Sequence, residues 1–287
     1  MRQPMMFAAI AATLSLAATG LSAATPHPSA DLVIAAERAF AARGSEVPPK
    51  RAFLEFAAPD GVLVDSERGV ENALQSVGGW PDRDNAGFIK WWPLYAGISR
   101  SGDLGFTTGA ARYGADVAFT NYFSIWRRQP DGSWKWVIDM GTKLESISHG
   151  PDTPVEVVPP ANARGKYPEA AKASLDETEA GLVAEARTSI ARAYGRRLAP
   201  EGRIMGLEPR PQIGKAAWRV ALANRPQAVA MTHLGGGVAS SGDLGWTYGT
   251  ARWTAKDGKA MQGVYLRAWQ HRREGWVILA DMLTADR

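Results

Sequence analysis

The sequence of 287 residues contains no cysteine. This absence excludes disulfide bonds, thiolate metal sites and a cysteine nucleophile. Histidine is scarce as well: the four histidines form no His-x-x-x-His pair and no cluster with carboxylates, so the sequence predicts no metal site and no cofactor. A protein of this length can do without disulfides, because each half is long enough to bury its own core.

Long runs of one charge are also missing. The 33 lysine and arginine residues and 29 aspartate and glutamate residues are scattered, and no basic tract reaches five residues. Nucleic acid is therefore not a predicted partner. Gly235-Gly236-Gly237 follows no strand-then-helix pattern, and no Gly-x-Ser-x-Gly segment occurs. The sequence thus lacks the signatures of phosphate-binding loops and of serine hydrolases.

One long apolar run occurs, from Met5 to Leu21, after the single early charge of Arg2. The small residues that follow it resemble a signal-peptidase site and predict cleavage near Ala24. The run is marginal for a membrane span of about 20 residues and has no basic flank on its far side. We therefore expect a signal peptide over residues 1–24, a periplasmic or secreted protein, and no stable membrane anchor after cleavage.

A long internal repeat dominates the remainder. The segment from Ser101 to Tyr113 returns as Ser241 to Trp253, with nine of 13 positions identical. A repeat distance of about 140 residues matches a whole domain and exceeds any solenoid period. The repeat predicts a first domain over residues 29–143 and a divergent second domain over 173–287. A proline-rich linker over 144–172 would let the two halves pack as an intramolecular pseudo-dimer.

Each half shows helical patterns first and strand patterns afterwards. A helix is predicted from the N-cap candidate Ser29, and a capping box from Ser174 to Glu177 marks the corresponding helix of the second copy. The later segments are rich in β-branched and aromatic residues and are separated by turn signals. This order predicts an α+β fold of two cone-like domains, each with N-terminal helices on a strongly curved antiparallel sheet. Gly105 and Gly109 are candidate bend positions.

These segments together resemble a known family. Ala58 to Val64 reads Ala-x-Asp-Gly-Val-x-Val, Trp92-Pro93 precedes the Ser-Gly-Asp-Leu-Gly segment, and Trp126 to Asp139 contains Trp-Arg-Arg, Asp-Gly-x-Trp and a closing aspartate. The pattern is similar to the nuclear-transport-factor-2-like (NTF2-like) superfamily, in its SnoaL-like, ketosteroid-isomerase-like branch with a cystatin-like fold. The resemblance implies a bent sheet around an apolar cavity. It does not fix a function, since such folds serve enzymes and binding modules alike.

Asp65 is the first candidate catalytic residue. The resemblance implies that a carboxylate at this position projects into the cavity and shuttles a proton. Burial in an apolar pocket would raise its pKa towards the range useful for general acid–base work. The alternative is an exposed aspartate at a strand end. The second copy has Gly206 at the matching position, so this carboxylate is not repeated.

Two further catalytic candidates lie on predicted strands. Asp139 and its repeat Asp281 sit on otherwise apolar strands, and a buried aspartate needs a partner or a proton. Arg112 and Arg252 are the candidate partners, and an ion pair that only fixes the sheet is the alternative role. Tyr122 could donate a hydrogen bond to a developing oxyanion, or it could simply pack in the core.

The candidate ligand-binding residues are mainly aromatic. Trp92, Tyr95 and Trp126, together with Arg112, would suit a planar apolar ligand, although core packing or an interface would use the same aromatic residues. Two functions remain open. One is an exported module that binds a small apolar or aromatic molecule, or a protein partner, without catalysis. The other is an isomerase, cyclase or dehydratase that uses Asp65 as general base, with Tyr122 or Asp139 as hydrogen-bond donor.

Overall fold

The computed structural model describes residues 28–65, 69–114, 118–147, 149–161 and 167–286. Within these ranges the chain has the predicted α+β fold, with two separate curved sheets that each follow their own helices. None of the described helices is long and apolar enough to cross a membrane. The predicted signal peptide and its cleavage site lie outside the described residues.

The first half contains three helices and seven strands within the described ranges. Its sheet has the strand order β2-β1-β6-β5-β4-β3-β7. The elements are α1 (Asp31–Glu46), α2 (Pro49–Phe56), β1 (Ala57–Asp65), β2 (Gly69–Asn72), α3 (Ala73–Gly78), β3 (Ile89–Ile98), β4 (Leu104–Tyr113), β5 (Ala118–Arg128), β6 (Trp134–Leu144) and β7 (Glu156–Val158).

The second half repeats this order without a described counterpart of β7. Its sheet has the order β10-β11-β12-β13-β8-β9. The elements are α4 (Pro168–Ala186), α5 (Ile190–Gly195), β8 (Leu198–Met205), β9 (Gln212–Ile213), α6 (Gly214–Asn224), β10 (Ala230–Val238), β11 (Leu244–Thr254), β12 (Ala260–Arg272) and β13 (Gly275–Ala285).

The sheets are mixed, whereas the sequence predicts antiparallel ones. The first strand of each half, β1 or β8, runs parallel to the last strand of the long meander, β6 or β13. Strand β7 also runs parallel to β3 and comes from the stretch predicted as linker. By pairing with β3, it covers an edge that would otherwise expose unpaired backbone groups.

Two predicted helix starts are displaced. Helix α1 begins at Asp31, two residues after Ser29, whose hydroxyl accepts a hydrogen bond from the Asp31 amide at 3.2 Å. Helix α4 begins at Pro168, so the capping-box pattern at Ser174 lies inside it. Proline has a suitable φ for the first helical position and no amide hydrogen to leave unpaired, which makes Pro168 a better start.

The two sheets share one hydrophobic cluster. Tyr95, Phe106 and Phe123 of the first half pack in it with Leu266 and Met282 of the second. The Tyr95 hydroxyl also donates to the main-chain oxygen of Leu279, at 3.5 Å. The halves are therefore joined through the outer faces of their sheets, while their helices cover the other faces.

Polar contacts between the halves surround this cluster. The guanidinium of Arg203 lies over the ring of Tyr95, 3.9 Å from its centroid, and donates to Glu156 of β7 at 2.6 Å. The repeated Ser-Gly-Asp turns meet each other, since the hydroxyl oxygens of Ser101 and Ser241 are 2.8 Å apart. The repeat most visible in the sequence therefore forms part of the contact between the halves.

Candidate functional site

The first half contains a cavity of about 680 Å³ between its helices and the inner face of its sheet. Most of the wall is apolar and aromatic, with the rings of Phe40, Phe53, Trp80 and Trp91 on one side. Residues of the second half complete the wall; they are Gly206, Leu207, Thr284, Ala285 and Asp286. The cavity is thus built on the first half and bordered by the ends of β8 and β13.

Asp139 is one of the few acidic residues in this wall. Strand β6 places it opposite Ser124 of β5, whose hydroxyl donates to Oδ2 of Asp139 at 2.6 Å. The side chain is 9% exposed, and its burial raises the pKa of Asp139 to about 6, against a smaller lowering by the Ser124 hydrogen bond. A carboxyl with this pKa can accept or give up a proton near neutral pH.

Tyr122 lines the same cavity from β5. It lies opposite Gly109, where a Cβ atom would come within 2.8 Å of its ring, so the glycine leaves room for the tyrosine. The buried hydroxyl has no partner of full hydrogen-bond geometry among the described residues, although Thr107 lies near enough to lower its pKa slightly. Burial raises the pKa of Tyr122 well above its ordinary value, and the negative charges of Glu37 and Asp139 raise it further.

Glu37 of α1 lies in the core next to these groups, and the sequence analysis missed it. It is fully buried and accepts hydrogen bonds from Trp91 Nε1 at 2.7 Å, Thr107 Oγ1 at 2.5 Å and Trp126 Nε1 at 3.0 Å. Burial raises the pKa of Glu37 to about 7, and Asp139 contributes to the increase. Its repetition as Glu179 of α4 is the sequence signal that could have identified it.

The second half places the same residue types at the same register positions. Glu179 accepts from Thr247 at 2.9 Å, as Glu37 does from Thr107. Asp281 of β13 lies opposite residue 267 of β12, as Asp139 lies opposite Ser124. The difference is the residue between the two carboxylates, which is Arg267 in the second half.

Arg267 is fully buried and bonds to both carboxylates. Its Nη1 donates to Glu179 at 2.5 Å and its Nε to Asp281 at 2.9 Å. Its Nη2 donates to the Tyr194 hydroxyl at 2.7 Å, and its guanidinium lies 4.0 Å from the ring centroid of Tyr265. A single guanidinium therefore occupies the space between the two acids.

A second guanidinium completes this ion cluster. Arg225 donates to Asp281 at 3.0 Å and to both oxygens of Glu208, at 2.7 and 3.0 Å. Three carboxylates and two guanidiniums thus lie together in the second half. In the first half, no salt bridge reaches Glu37 or Asp139 from any described residue.

The sequence matches no family model and no curated protein. The chain is similar to NTF2-like proteins of known structure. One is an NTF2-like protein of unknown function from Pseudomonas putida (12% identity, 42% of this chain and 89% of the other, TM-score 0.35). Another is a ketosteroid isomerase-like protein from Erwinia carotovora atroseptica (16% identity, 41% and 97%, TM-score 0.32).

A third similar structure is an NTF2-like superfamily protein from Salmonella enterica (10% identity, 42% of this chain and 93% of the other, TM-score 0.34). Each of the three matches about two fifths of this chain. The function of the site has to be inferred from the two halves themselves.

None of the four predicted ligand-binding residues belongs to the cavity wall that the described residues form. The indole of Trp92 donates to the main-chain oxygen of His149 at 3.0 Å. Tyr95 lies in the cluster between the sheets, and Trp126 is buried beneath the cavity with its indole bonded to Glu37. These aromatic side chains serve packing, the alternative that the sequence left open.

Arg112 is not the partner of Asp139, and Arg252 is not that of Asp281. On β4, Arg112 lies five positions after Thr107. This spacing places Arg112 about 17 Å from Thr107 along the strand and on the opposite face of the sheet. The carboxylate of Asp139 accepts instead from Ser124, and that of Asp281 from Arg225 and Arg267. The pairing follows the strand register rather than the repetition of charged residues.

Asp65 ends strand β1, where its backbone pairs with Gly69, and its side chain lies outside the described part of the chain. The register confirms that Gly206 stands at the matching place, since Val64 pairs with Met140 as Met205 pairs with Met282. Among the described residues, no group of three or more histidine, aspartate or glutamate side chains could hold a metal ion.

Proposed function

We propose that the first half binds a small, largely apolar molecule in its cavity, with Asp139 and Tyr122 as the polar contacts. The observation that carries this proposal is the difference at one register position. Ser124 leaves Asp139 at the wall of a cavity, whereas Arg267 buries the equivalent Asp281 completely. A carboxylate kept in an apolar cavity without an internal cation is costly to a fold, which favours a functional role for it.

The dimensions of the cavity support a small ligand. A volume of about 680 Å³ falls within the usual range for binding pockets, roughly 300–1,000 Å³. Apolar walls with a few convergent polar groups are typical of such sites. The aromatic rings offer flat surfaces that suit a planar ring system.

The second half acts in this proposal as a scaffold and as part of the wall. The shared cluster around Tyr95 and Phe106 supports the predicted intramolecular pseudo-dimer. Thr142 of the first half also donates to the main-chain oxygen of Gly206, at 3.3 Å, beside the cavity. The loss of the Asp65 equivalent at Gly206 fits a half that supports the site without repeating it.

Native mass spectrometry of the protein purified from its own host tests the proposal. We expect a non-covalent mass of a few hundred daltons, in keeping with the cavity volume. The denatured mass would also report whether the chain is cleaved near Ala24. A clean native mass, with no binding from extracts of the host, would contradict the proposal.

A matched pair of variants locates the bound molecule. Gly141 lies in the cavity wall, on the face of Asp139, and a Cβ there would approach only Asn121 O, at 3.8 Å. Gly141→Phe should therefore fill the cavity and remove the bound mass. Gly150→Phe adds the same side chain where a Cβ meets nothing within 4 Å, and it should retain the bound mass.

Proton transfer is a second candidate function. It is favoured by the pKa of Asp139, raised to about 6, and by the unbonded hydroxyl of Tyr122 in the same wall. Asp65 remains the general base that the sequence predicts for this reading. Deuterium exchange into the bound molecule, catalysed by the natural protein and lost in Asp139→Asn, would support it. Exchange no faster with the natural protein than without protein would leave binding as the function, and equal catalysed rates with both proteins would exclude a role for Asp139.

A further inference from the structure

The second half shows which chemical group fits between the two repeated carboxylates. There the guanidinium of Arg267 bonds to Glu179 and Asp281 and lies against the ring of Tyr265. In the first half, Asp139 and Tyr122 occupy the corresponding register positions, and Glu37 accepts from Thr107 as Glu179 does from Thr247. The cavity therefore borders a place whose counterpart in the same chain is filled by a cation.

The first half replaces the hydrogen bonds of this guanidinium but not its charge. Trp91 Nε1 donates to Oε1 of Glu37, the oxygen that corresponds to the one that Arg267 reaches on Glu179. Ser124 donates to Oδ2 of Asp139. Both substitutes are neutral donors, so the two buried acids keep partners but gain no compensating positive charge.

We propose that the ligand of the first-half cavity is an organic cation, a protonated amine or amidine on an apolar aromatic body. This inference rests on the proposed function and names the class of its ligand. The cationic nitrogen would lie beside Asp139 as Arg267 lies beside Asp281. The rings of Phe40, Phe53, Trp80 and Trp91 would hold the aromatic body and interact favourably with the positive charge.

The other charged groups at the cavity are consistent with this choice. Lys143 and Asp286 line it on the side where the halves meet, and they carry opposite charges. Tyr122 is neutral because its pKa lies well above its ordinary value. An anionic ligand would add a third negative charge beside Glu37 and Asp139.

Calorimetric titration with three indoles of one shape separates the possibilities. The probes are tryptamine as the cation, tryptophol as the neutral analogue and indole-3-acetate as the anion, at pH 7.5 and low salt. We expect tryptamine to bind about tenfold or more tightly than tryptophol, since a charged hydrogen bond is worth about 1.5–3 kcal/mol. Indole-3-acetate should bind weakest.

Variants connect this preference to the site. Ser124→Arg installs the second half's guanidinium and should abolish tryptamine binding. Because a new buried arginine can prevent folding, Asp139→Asn provides a variant of equal size, which should bring tryptamine down to the affinity of tryptophol. Asp60→Asn removes the same charge from an exposed pair with Arg127 and should leave all three affinities unchanged.

The outcomes distinguish this inference from the function on which it rests. If tryptophol or indole-3-acetate binds as tightly as tryptamine, the cavity binds small molecules but the cationic class is wrong. If none of the three binds, the mass found in the native spectrum decides: an amine or amidine supports the inference, and any other molecule overturns it. A protein that binds neither the indoles nor any molecule of its host overturns both proposals.

Discussion

In the first half, Glu37 and Asp139 lie beside a cavity, bonded to neutral donors. In the second half, Glu179 and Asp281 lie in a closed ion cluster around Arg267. The two halves have the same fold, the same register and the same pair of acids. The two halves differ at one strand position between these acids, with Arg267 in the closed ion cluster of the second half and Ser124 beside the cavity of the first.

The largest effect on stability is expected from Arg267→Ser. This substitution gives the second half the serine that the first half has at the matching position, Ser124. Glu179 and Asp281 would lose a bonded cation while remaining buried, and such changes cost about 3–5 kcal/mol. Urea unfolding measures the loss. Arg127→Ser, which removes an exposed pair with Asp60, should cost about 1 kcal/mol or less. Equal losses for the two variants would show that the ion cluster does not stabilise the second half.

The acids of the first half should make stability depend on pH. Folding raises the pKa of Glu37 from 4.5 to about 7 and that of Asp139 from 3.8 to about 6. The folded chain therefore binds more protons than the unfolded chain, and stability falls as pH rises from 5 to 7. With these pKa values and about 1.4 kcal/mol per pKa unit, Glu37 alone contributes about 2 kcal/mol to the fall between pH 5 and 7.

Urea unfolding at intervals between pH 5 and 7 checks this dependence. Asp139→Asn should flatten the curve, because it removes one titrating group and also a charge that adds to the effect of burial on the pKa of Glu37. Asp60, whose pKa Arg127 lowers, titrates below this window, so Asp60→Asn serves as the control. Stability that stays level or increases with pH would refute the assignment of two uncompensated buried acids.

Gly206→Ala tests the place where the second half replaces Asp65. Gly206 has φ 111°, and an added Cβ would lie 1.9 Å from the main-chain oxygen of Leu283. Gly275 has φ 110° with nothing within 4 Å, so Gly275→Ala carries the backbone strain alone. We expect Gly206→Ala to cost about 2 kcal/mol more in unfolding experiments, from overpacking. Equal losses of unfolding free energy for the two variants would mean that the backbone around Leu283 moves to accommodate the added Cβ.

The smallest expected effect concerns two buried tyrosines. Tyr194 donates to Asp281 at 2.9 Å and accepts from Arg267, so Tyr194→Phe should cost about 1 kcal/mol or more. Tyr122→Phe removes a hydroxyl without a bonded partner among the described residues and should change stability by less than about 0.5 kcal/mol. Thermal unfolding of both variants provides the comparison, and a large loss for Tyr122→Phe would reveal a structural role for its hydroxyl.

Much of the architecture could be predicted because the repeat and the order of patterns are local properties of the chain. The parallel pairing of β1 with β6 could not, since it joins residues that are far apart in sequence. Of the site, Asp139 was predicted from its position on an apolar strand, and Tyr122 from a strand position that is repeated and could face the cavity. Glu37 was not predicted as a site residue because a single glutamate in a helix normally faces solvent.

The role of Arg267 in the second half was not predicted, for a different reason. Period two places Arg267 on the same face as Tyr265 and Trp269, just as it places Ser124 between Tyr122 and Trp126. The sequence therefore carried the signal for the difference between the halves. The prediction instead paired the acids with arginines that are repeated and overlooked the strand position between the acids, which differs between the two copies.

The ends of β8 and β13 form part of the cavity wall, and this arrangement has a thermodynamic consequence. A molecule in the cavity contacts both halves, so its binding energy is lost if either half unfolds. Occupation of a first-half site should therefore protect amide hydrogens of the second half from exchange with solvent. Under the proposed function, binding and folding would be linked across the repeat, and the wall residues of the second half would contribute to how tightly the first half holds its ligand.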